Sequence, residues 1–271
     1  MTQLMSALSQ QLDLTRMIVS FALIMARVMA IVLLVPFLGG KNAPPEVKMG
    51  VGMTLALIIW PTAMATLTGP ITISPLGFTL MMMKETFVGV VIGFVASKIF
   101  YTVEISGQLI DILRGANQIQ LQVPEIEERS SAFGAMQFQM LLCLFIALGL
   151  HHPFIASLFE SFRVVPLNDF PHFQAGFKPF VDYCCRTTAD ILFIAVLLAM
   201  PIGIVTLIIE TAFGLMNRVA PQINAYFMAM PAKVLGGSAV FFFAFDMILE
   251  TMLTNARGML GHVQTIVQLL G

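Results

Sequence analysis

Four groups of residues stand where side chains could do chemistry or make close contacts. Glu85, Gly89, Gly93 and Ser97 follow at intervals of four, which on a helix sets a carboxylate above a strip of small residues on one face. Such a strip admits close packing by another helix, of this chain or of a neighbouring subunit. An ionisable group at membrane depth also admits a proton or ion path. Lys84 adjoins Glu85 but points about 100° away on a helix, so the two need not pair. Glu104, Gly107, Gln108, Asp111 and Gly115 share a second face at spacings of three and four. Glu210, Gly214 and Arg218 stand at intervals of four before Pro221, Gln222 and Asn224. The proline ends the helix there, and the two amides can cap or bridge the main-chain groups it frees. Glu210 and Arg218 are roughly 12 Å apart along the axis, too far for a simple contact. Asp246 and Glu250 repel at i, i+4. With no histidine or third carboxylate at helical spacing, they suit an interface or a water-facing patch better than a metal.

Catalytic signatures are missing from the sequence. Gly40-Lys41-Asn42 is no phosphate loop, because position 35 is Val and asparagine follows the lysine. His151 and His152 are adjacent and should diverge on a helix, and neither G-x-S-x-G nor H-E-x-x-H occurs. Cys143, Cys184 and Cys185 lack metal spacing and read as buried small hydrophobes. No catalytic, cofactor or metal site is expected.

The elements that must carry these residues are set by composition. Of 271 residues 58% are hydrophobic and only 11% charged, against roughly 45–50% and 25% in a soluble domain. That excludes a cytosolic enzyme, a disulfide scaffold or a disordered regulator, and points to a membrane protein. With 14 basic and 15 acidic side chains the net charge is −1, leaving no basic surface for nucleic acid. Residues 1–11 contain no Lys or Arg before the first apolar run, so the first segment is expected to stay rather than be cleaved as a signal peptide.

A bilayer core of about 30 Å needs about 20 helical residues. Six apolar segments meet that length: Leu14–Leu38, Met49–Thr68, Leu76–Val103, Ala132–Leu150, Ala189–Met216 and Phe227–Leu253. Lys41, Lys48, Arg114, Arg129 and Arg218 fall in the first, third and fifth loops, whereas Arg163, Lys178 and Arg186 fall in the fourth. The positive-inside pattern is therefore mixed, as for a chain that does not sit in lipid like a conventional polytopic protein.

Between the third and fourth segments, Asn117-Gln118-Ile119-Gln120-Leu121-Gln122-Val123-Pro124 alternates amide and apolar side chains. A period of two suits an extended segment, with Gly115 before it and Pro124 after it as helix breaks. Its main-chain groups need partners that lipid cannot give, so it lines an aqueous space, lies buried in protein, or forms a cytoplasmic loop. Glu125, Glu127, Glu128 and Arg129 read as a solvated continuation.

Taken together, these stretches resemble the FliR/SctT family, the integral export-gate subunit of flagellar and injectisome type III secretion systems. The resemblance covers nearly the whole chain. It is carried by Lys84-Glu85-x3-Gly89-x3-Gly93-Phe94, by Gly107-Gln108-Leu109-Ile110-Asp111-x3-Gly115, and by Ser161-Phe162 before Val165-Pro166. Arg218-x2-Pro221-Gln222-Ile223-Asn224 followed by Met230-Pro231 completes it. The resemblance implies an all-α membrane protein whose helical hairpins join a hetero-oligomeric gate in the bacterial inner membrane, raised toward the periplasm. One copy would assemble with five P/R-type (FliP/SctR) and four Q/S-type (FliQ/SctS) subunits, with the FlhB/SctU switch protein as a further partner and unfolded polypeptides as cargo.

It further implies a P/R-like part over residues 1–190 and a Q/S-like hairpin over 191–271. By position, the family's channel plug falls near 115–129, which assigns obstruction to Gly115, Asn117, Gln118, Ile119, Gln120, Leu121, Gln122, Val123 and Pro124. Glu85, Gly89, Gly93, Gln108, Asp111, Glu210, Arg218, Pro221, Gln222 and Asn224 would meet neighbouring subunits. The competing reading is a stand-alone secondary transporter. It predicts inverted repeats and a midplane substrate site, whereas the sequence shows no internal symmetry and gathers its polar residues at segment ends.

Overall fold

The computed structural model describes residues 2–39, 43–66, 74–115, 131–172, 176–222 and 224–271, with side chains from residue 14 onward. Among these residues there is no strand. The helices are α1 (Thr2–Leu34), α2 (Pro36–Gly39), α3 (Pro45–Ala65), α4 (Pro75–Leu113), α5 (Ala132–Ala147), α6 (His151–Val164), α7 (Phe177–Val219), α8 (Ala225–Phe243) and α9 (Phe245–Leu270). Prolines open α3 and α4, where the missing N–H would have lacked an intrahelical partner anyway. Serines stand just before two helices: Ser74 Oγ accepts from Gly77 N at 3.2 Å and Ser131 Oγ from Gly134 N at 2.9 Å, the usual N-cap bond. Gly149, with φ of 68°, supplies the left-handed residue at the corner between α5 and α6.

Five helices, or their apolar stretches, are long and apolar enough to cross a membrane: Leu14–Leu34, Pro45–Ala65, Pro75–Leu113, Phe177–Val219 and Ala225–Phe243. A sixth span exists if α5 and α6, bent by 77°, are taken as one. Apolar side chains cover the outside of α7, among them Leu192, Phe193, Ile204 and Leu207, as expected of a helix whose surroundings are lipid or protein. The all-α membrane fold read from the sequence is the observed one.

Two stretches depart from the expected segments. Residues 151–164, read as part of a mixed loop, form α6, whose buried Phe154, Ser157, Leu158, Ser161 and Phe162 recur at spacings of three and four. The last segment is not one span over Phe227–Leu253: it breaks at Ala244, and α9 runs on to Leu270. Its buried Ile248, Met252, Ala256, Met259, Val263 and Ile266 form one stripe, and the polar residues between them make it an amphipathic helix.

The chain forms two compact units that interleave along the sequence. The first comprises Met1–Ser97, Gly149–Cys185 and Gly258–Gly271, the second Lys98–Leu148 and Arg186–Arg257. In the first, α1 packs on α3, and its core includes Leu23, Ile24, Ile31, Ile59, Ile92 and Phe162. In the second, Phe100 meets Phe145 edge-on at 5.4 Å and Phe133 meets Phe241 at 4.7 Å, a geometry aromatic pairs favour.

Candidate functional site

The first unit contains a buried charge centre. Arg27 of α1 and Glu85 of α4 are both wholly buried, with Nε donating to Oε2 at 2.5 Å. The remaining guanidinium nitrogens donate to Ser161 O at 2.8 Å and Val165 O at 2.9 Å, and the group lies 4.1 Å from the Phe162 ring centroid. Lys84 Nζ is 2.5 Å from Glu85 Oε1 and donates to Pro166 O, Leu167 O and Asp169 O at 3.0, 3.0 and 3.1 Å. The expectation that Lys84 and Glu85 need not pair is thus corrected: the long flexible lysine stem brings its ammonium to the same carboxylate despite the offset at the backbone. Burying charge is expensive unless every group is paired and hydrogen-bonded. Here the carboxylate takes both cations, and the surplus positive charge rests on main-chain carbonyls at and beyond the end of α6. Ser161 O also accepts from Val165 N at 3.0 Å and Pro166 O from Asp169 N at 3.3 Å, and the helix dipole is negative at this end.

The small-residue strip does what its spacing required. A Cβ on Gly89 would lie 2.4 Å from Arg27 O and 2.8 Å from Ala30 Cβ, and one on Gly93 would lie 3.1 Å from Leu34 Cβ. Only glycine lets α1 lie this close to α4, and the close partner found is a helix of the same chain. Glu85, Gly89 and Gly93 all face it.

In the second unit the polar end of α4 meets the start of α5. Asp111, buried, accepts from Ser131 Oγ at 2.6 Å and from Phe133 N at 3.1 Å, and its other oxygen is 3.5 Å from Arg114. Arg114 donates to Ser238 Oγ of α8 at 2.8 Å and lies over the Phe133 ring at 4.3 Å. Burial pushes the Arg114 guanidinium below its ordinary pKa, and the Asp111 carboxylate opposes that shift. A Cβ on Gly107 would lie 2.4 Å from Gly134 backbone, so the two helices touch main chain to main chain. Gly115 closes α4 with φ of 75°, a conformation favouring glycine. Gln108, expected on the same face, is exposed instead. Asn117 to Pro124, the rest of the segment assigned to obstruction, lie outside the described residues, as do Glu125, Glu127, Glu128 and Arg129.

At the α7–α8 turn, Glu210 pairs with Lys233 Nζ at 2.6 Å. Arg218, Pro221, Gln222 and Asn224 are exposed. Asn224 makes no side-chain cap to α8, contrary to the capping read for it. Asp246 and Glu250 are exposed, as a water-facing or interface patch would be. Among the described residues no group of three or more His, Cys, Asp or Glu could hold a metal ion. The rings of His151 and His152 do not diverge but lie with centroids 4.0 Å apart and planes tilted by 36°, with His152 Nδ1 turned back to Gly149 O at 3.2 Å. The cysteines are not buried either: Cys143 and Cys185 are exposed and Cys184 is half-buried.

Three cations that organise these sites went unread in the sequence: Arg27, Lys98 and Lys233. Lys98 Nζ donates to Asp190 Oδ2 at 3.0 Å. The signal that marks each is one charge within or beside an apolar run.

A helical membrane protein with a buried Arg–Glu–Lys centre and a pinned α4–α5 junction is what the geometry defines. The family model described as bacterial export proteins, family 1, matches residues 18–259, and the chain belongs to that family, the FliR/SctT family. It is 31% identical over 221 residues to Yop proteins translocation protein T of Yersinia pestis, covering 80% of this chain and 82% of that protein. It is 28% identical over 222 residues to flagellar biosynthetic protein FliR of Caulobacter vibrioides, covering 80% and 84%. Over 149 residues it is 31% identical to secretion system apparatus protein SsaT of Salmonella typhimurium, covering 55% and 56%.

Proposed function

We propose that this chain is a core inner-membrane subunit of a type III protein export gate, forming part of the channel through which unfolded flagellar or virulence proteins leave the cell. The observation that carries the reading is the family match over residues 18–259, together with the likeness to a translocation protein and to a flagellar biosynthetic protein across four-fifths of the chain. Its partners are P/R-type and Q/S-type subunits and the FlhB/SctU switch protein. Residues 1–190 play the P/R-like part and 191–271 the Q/S-like hairpin. Exposed Gln108, Arg218, Pro221, Gln222 and Asn224 meet those neighbours, as does Glu210, whose side chain is 60% exposed beside Lys233.

The segment from Gly115 to Pro124 obstructs the channel. The pinning of Asp111 to Ser131 and Phe133 supports this role, because it fixes the two ends from which residues 116–130 depart. Native mass spectrometry after co-expression with the neighbouring membrane genes tests the assembly: one copy in a complex with P/R-type and Q/S-type subunits is expected. A stable monomer that ignores those partners overturns the reading. Deleting Gln118–Val123 should raise ion leakage through the assembled gate, and unchanged conductance removes the plug.

A further inference from the structure

Between α7 and α8 lies a notch of about 210 Å3, whose walls include Glu210, Gly214, Asn217, Ala225, Ala229 and Lys233. It is smaller than the roughly 300–1,000 Å3 of a small-molecule pocket. We infer that it seats a helix end of a neighbouring membrane subunit, which presents uncharged carbonyl oxygens to Lys233. This rests on the reading of the chain as an export-gate subunit and specifies the chemistry of one of its contacts.

Lys233 is 93% buried, since only 7% of its surface is exposed, and among the described residues its ammonium donates to Glu210 alone. An ammonium carries three donors, and the Asn217 amide, which also lines the notch, takes none of them. The Glu210–Lys233 pair is already electrically balanced. A second charged partner would leave a net charge at this depth, whereas main-chain oxygens at a helix C-terminus lack intrahelical donors and complete the ammonium without adding one. The walls fit that occupant. A Cβ on Gly214 would meet nothing within 4 Å, so packing inside the chain leaves space beside this glycine. Gly214, Ala225 and Ala229 together let another backbone approach closely.

Gly214→Leu fills the notch without touching the ion pair, and Lys233→Met removes the donor. Each is co-expressed with the P/R-type and Q/S-type subunits and weighed as the intact complex. A benzophenone side chain at position 226 of the full chain reports the neighbour directly. Expected for Gly214→Leu are an unchanged melting temperature of the isolated chain and a loss of at least about tenfold in occupancy of one neighbouring subunit. The position-226 cross-link to that subunit should fall in parallel in both variants. If both variants assemble and cross-link like the wild type, the inference fails while the gate reading stands. If the wild type forms no assembly, both fail.

Discussion

Glu85→Gln removes one negative charge and almost no volume, which isolates the electrostatic part of the charge centre from its packing. Arg27 and Lys84 would then share a buried pocket with no anion between them, because both reach the carboxylate at 2.5 Å. Removing one member of a buried pair costs about 3–5 kcal/mol, a large fraction of the roughly 5–15 kcal/mol that holds a typical fold. At about 2–4 °C per kcal/mol for chains approaching this size, the melting temperature should fall by about 6–20 °C. Arg27→Leu should do less harm. It leaves Lys84 and Glu85 as a balanced pair and orphans Val165 O, since Ser161 O keeps its bond from Val165 N, a loss of about 1–3 kcal/mol.

The double variant Arg27→Leu/Glu85→Gln removes a cation along with the anion, so it should be no less stable than Glu85→Gln alone. Trp60, the single tryptophan, gives the readout. Its ring meets Phe21 of α1 edge-on at 6.3 Å, so its fluorescence follows the α1–α3 contact during unfolding in mild detergent. If the two single losses simply add, within the about 0.3–0.5 kcal/mol expected of independent sites, charge balance does not hold this centre together and the reasoning is wrong.

Gly89→Leu should prevent α1 from lying against α4, since even a Cβ would meet Arg27 O at 2.4 Å; a fall in folded yield in detergent is the measure, and a yield like the wild type's refutes it. Asp111→Asn weakens the acceptor for Ser131 and Phe133 and loses the charge beside Arg114. Its expected cost is about 1–3 kcal/mol, seen as roughly 10- to 100-fold faster amide exchange at Phe133 and Gly134 while the α1 amides keep their rates. Tyr183→Phe removes the 2.7 Å bond to His262 Nδ1 that ties the C-terminal part of α9 to α7. About 1 kcal/mol should be lost, and proteolysis near the C-terminus should accelerate a few-fold.

The membrane class and most helix cores were legible because they follow from local composition: an apolar run of about 20 residues announces itself whatever it packs against. The same locality explains the misses. α6 is amphipathic rather than apolar and so lacks the long hydrophobic run that marks a span, although Phe154, Leu158 and Phe162 repeat at a helical interval. The break at Ala244 carries neither proline nor glycine and leaves no mark in the sequence. The close approach of the His151 and His152 rings depends on a corner set by Gly149, beyond what helix geometry predicts for adjacent residues. The exposed cysteines were misread because in a membrane protein a small apolar residue is as stable facing lipid as facing the core.

Partnership is the harder part, because spacing along one helix orders residues on a face but says nothing of what the face meets. Charge arithmetic narrows it. Inside the six apolar segments stand five cations, Arg16, Arg27, Lys84, Lys98 and Lys233, and five anions, Glu85, Asp190, Glu210, Asp246 and Glu250. The structure pairs Arg27 with Glu85, Lys98 with Asp190 and Lys233 with Glu210, while Asp246 and Glu250 are exposed. Each of these paired anions takes a cation from a different helix, which lowers the cost of a charge at membrane depth. Lys84 joins the first of these pairs. It shares Glu85 with Arg27 and rests on Pro166 O, Leu167 O and Asp169 O, so main-chain carbonyls take up the second cation beside one carboxylate. These carbonyls lie in the turn just beyond α6, where Pro166 O also accepts from Asp169 N at 3.3 Å. The end of α6 and the turn after it are thereby coupled to α1 through Arg27 and to α4 through Lys84, the two cations that meet on the buried Glu85 carboxylate.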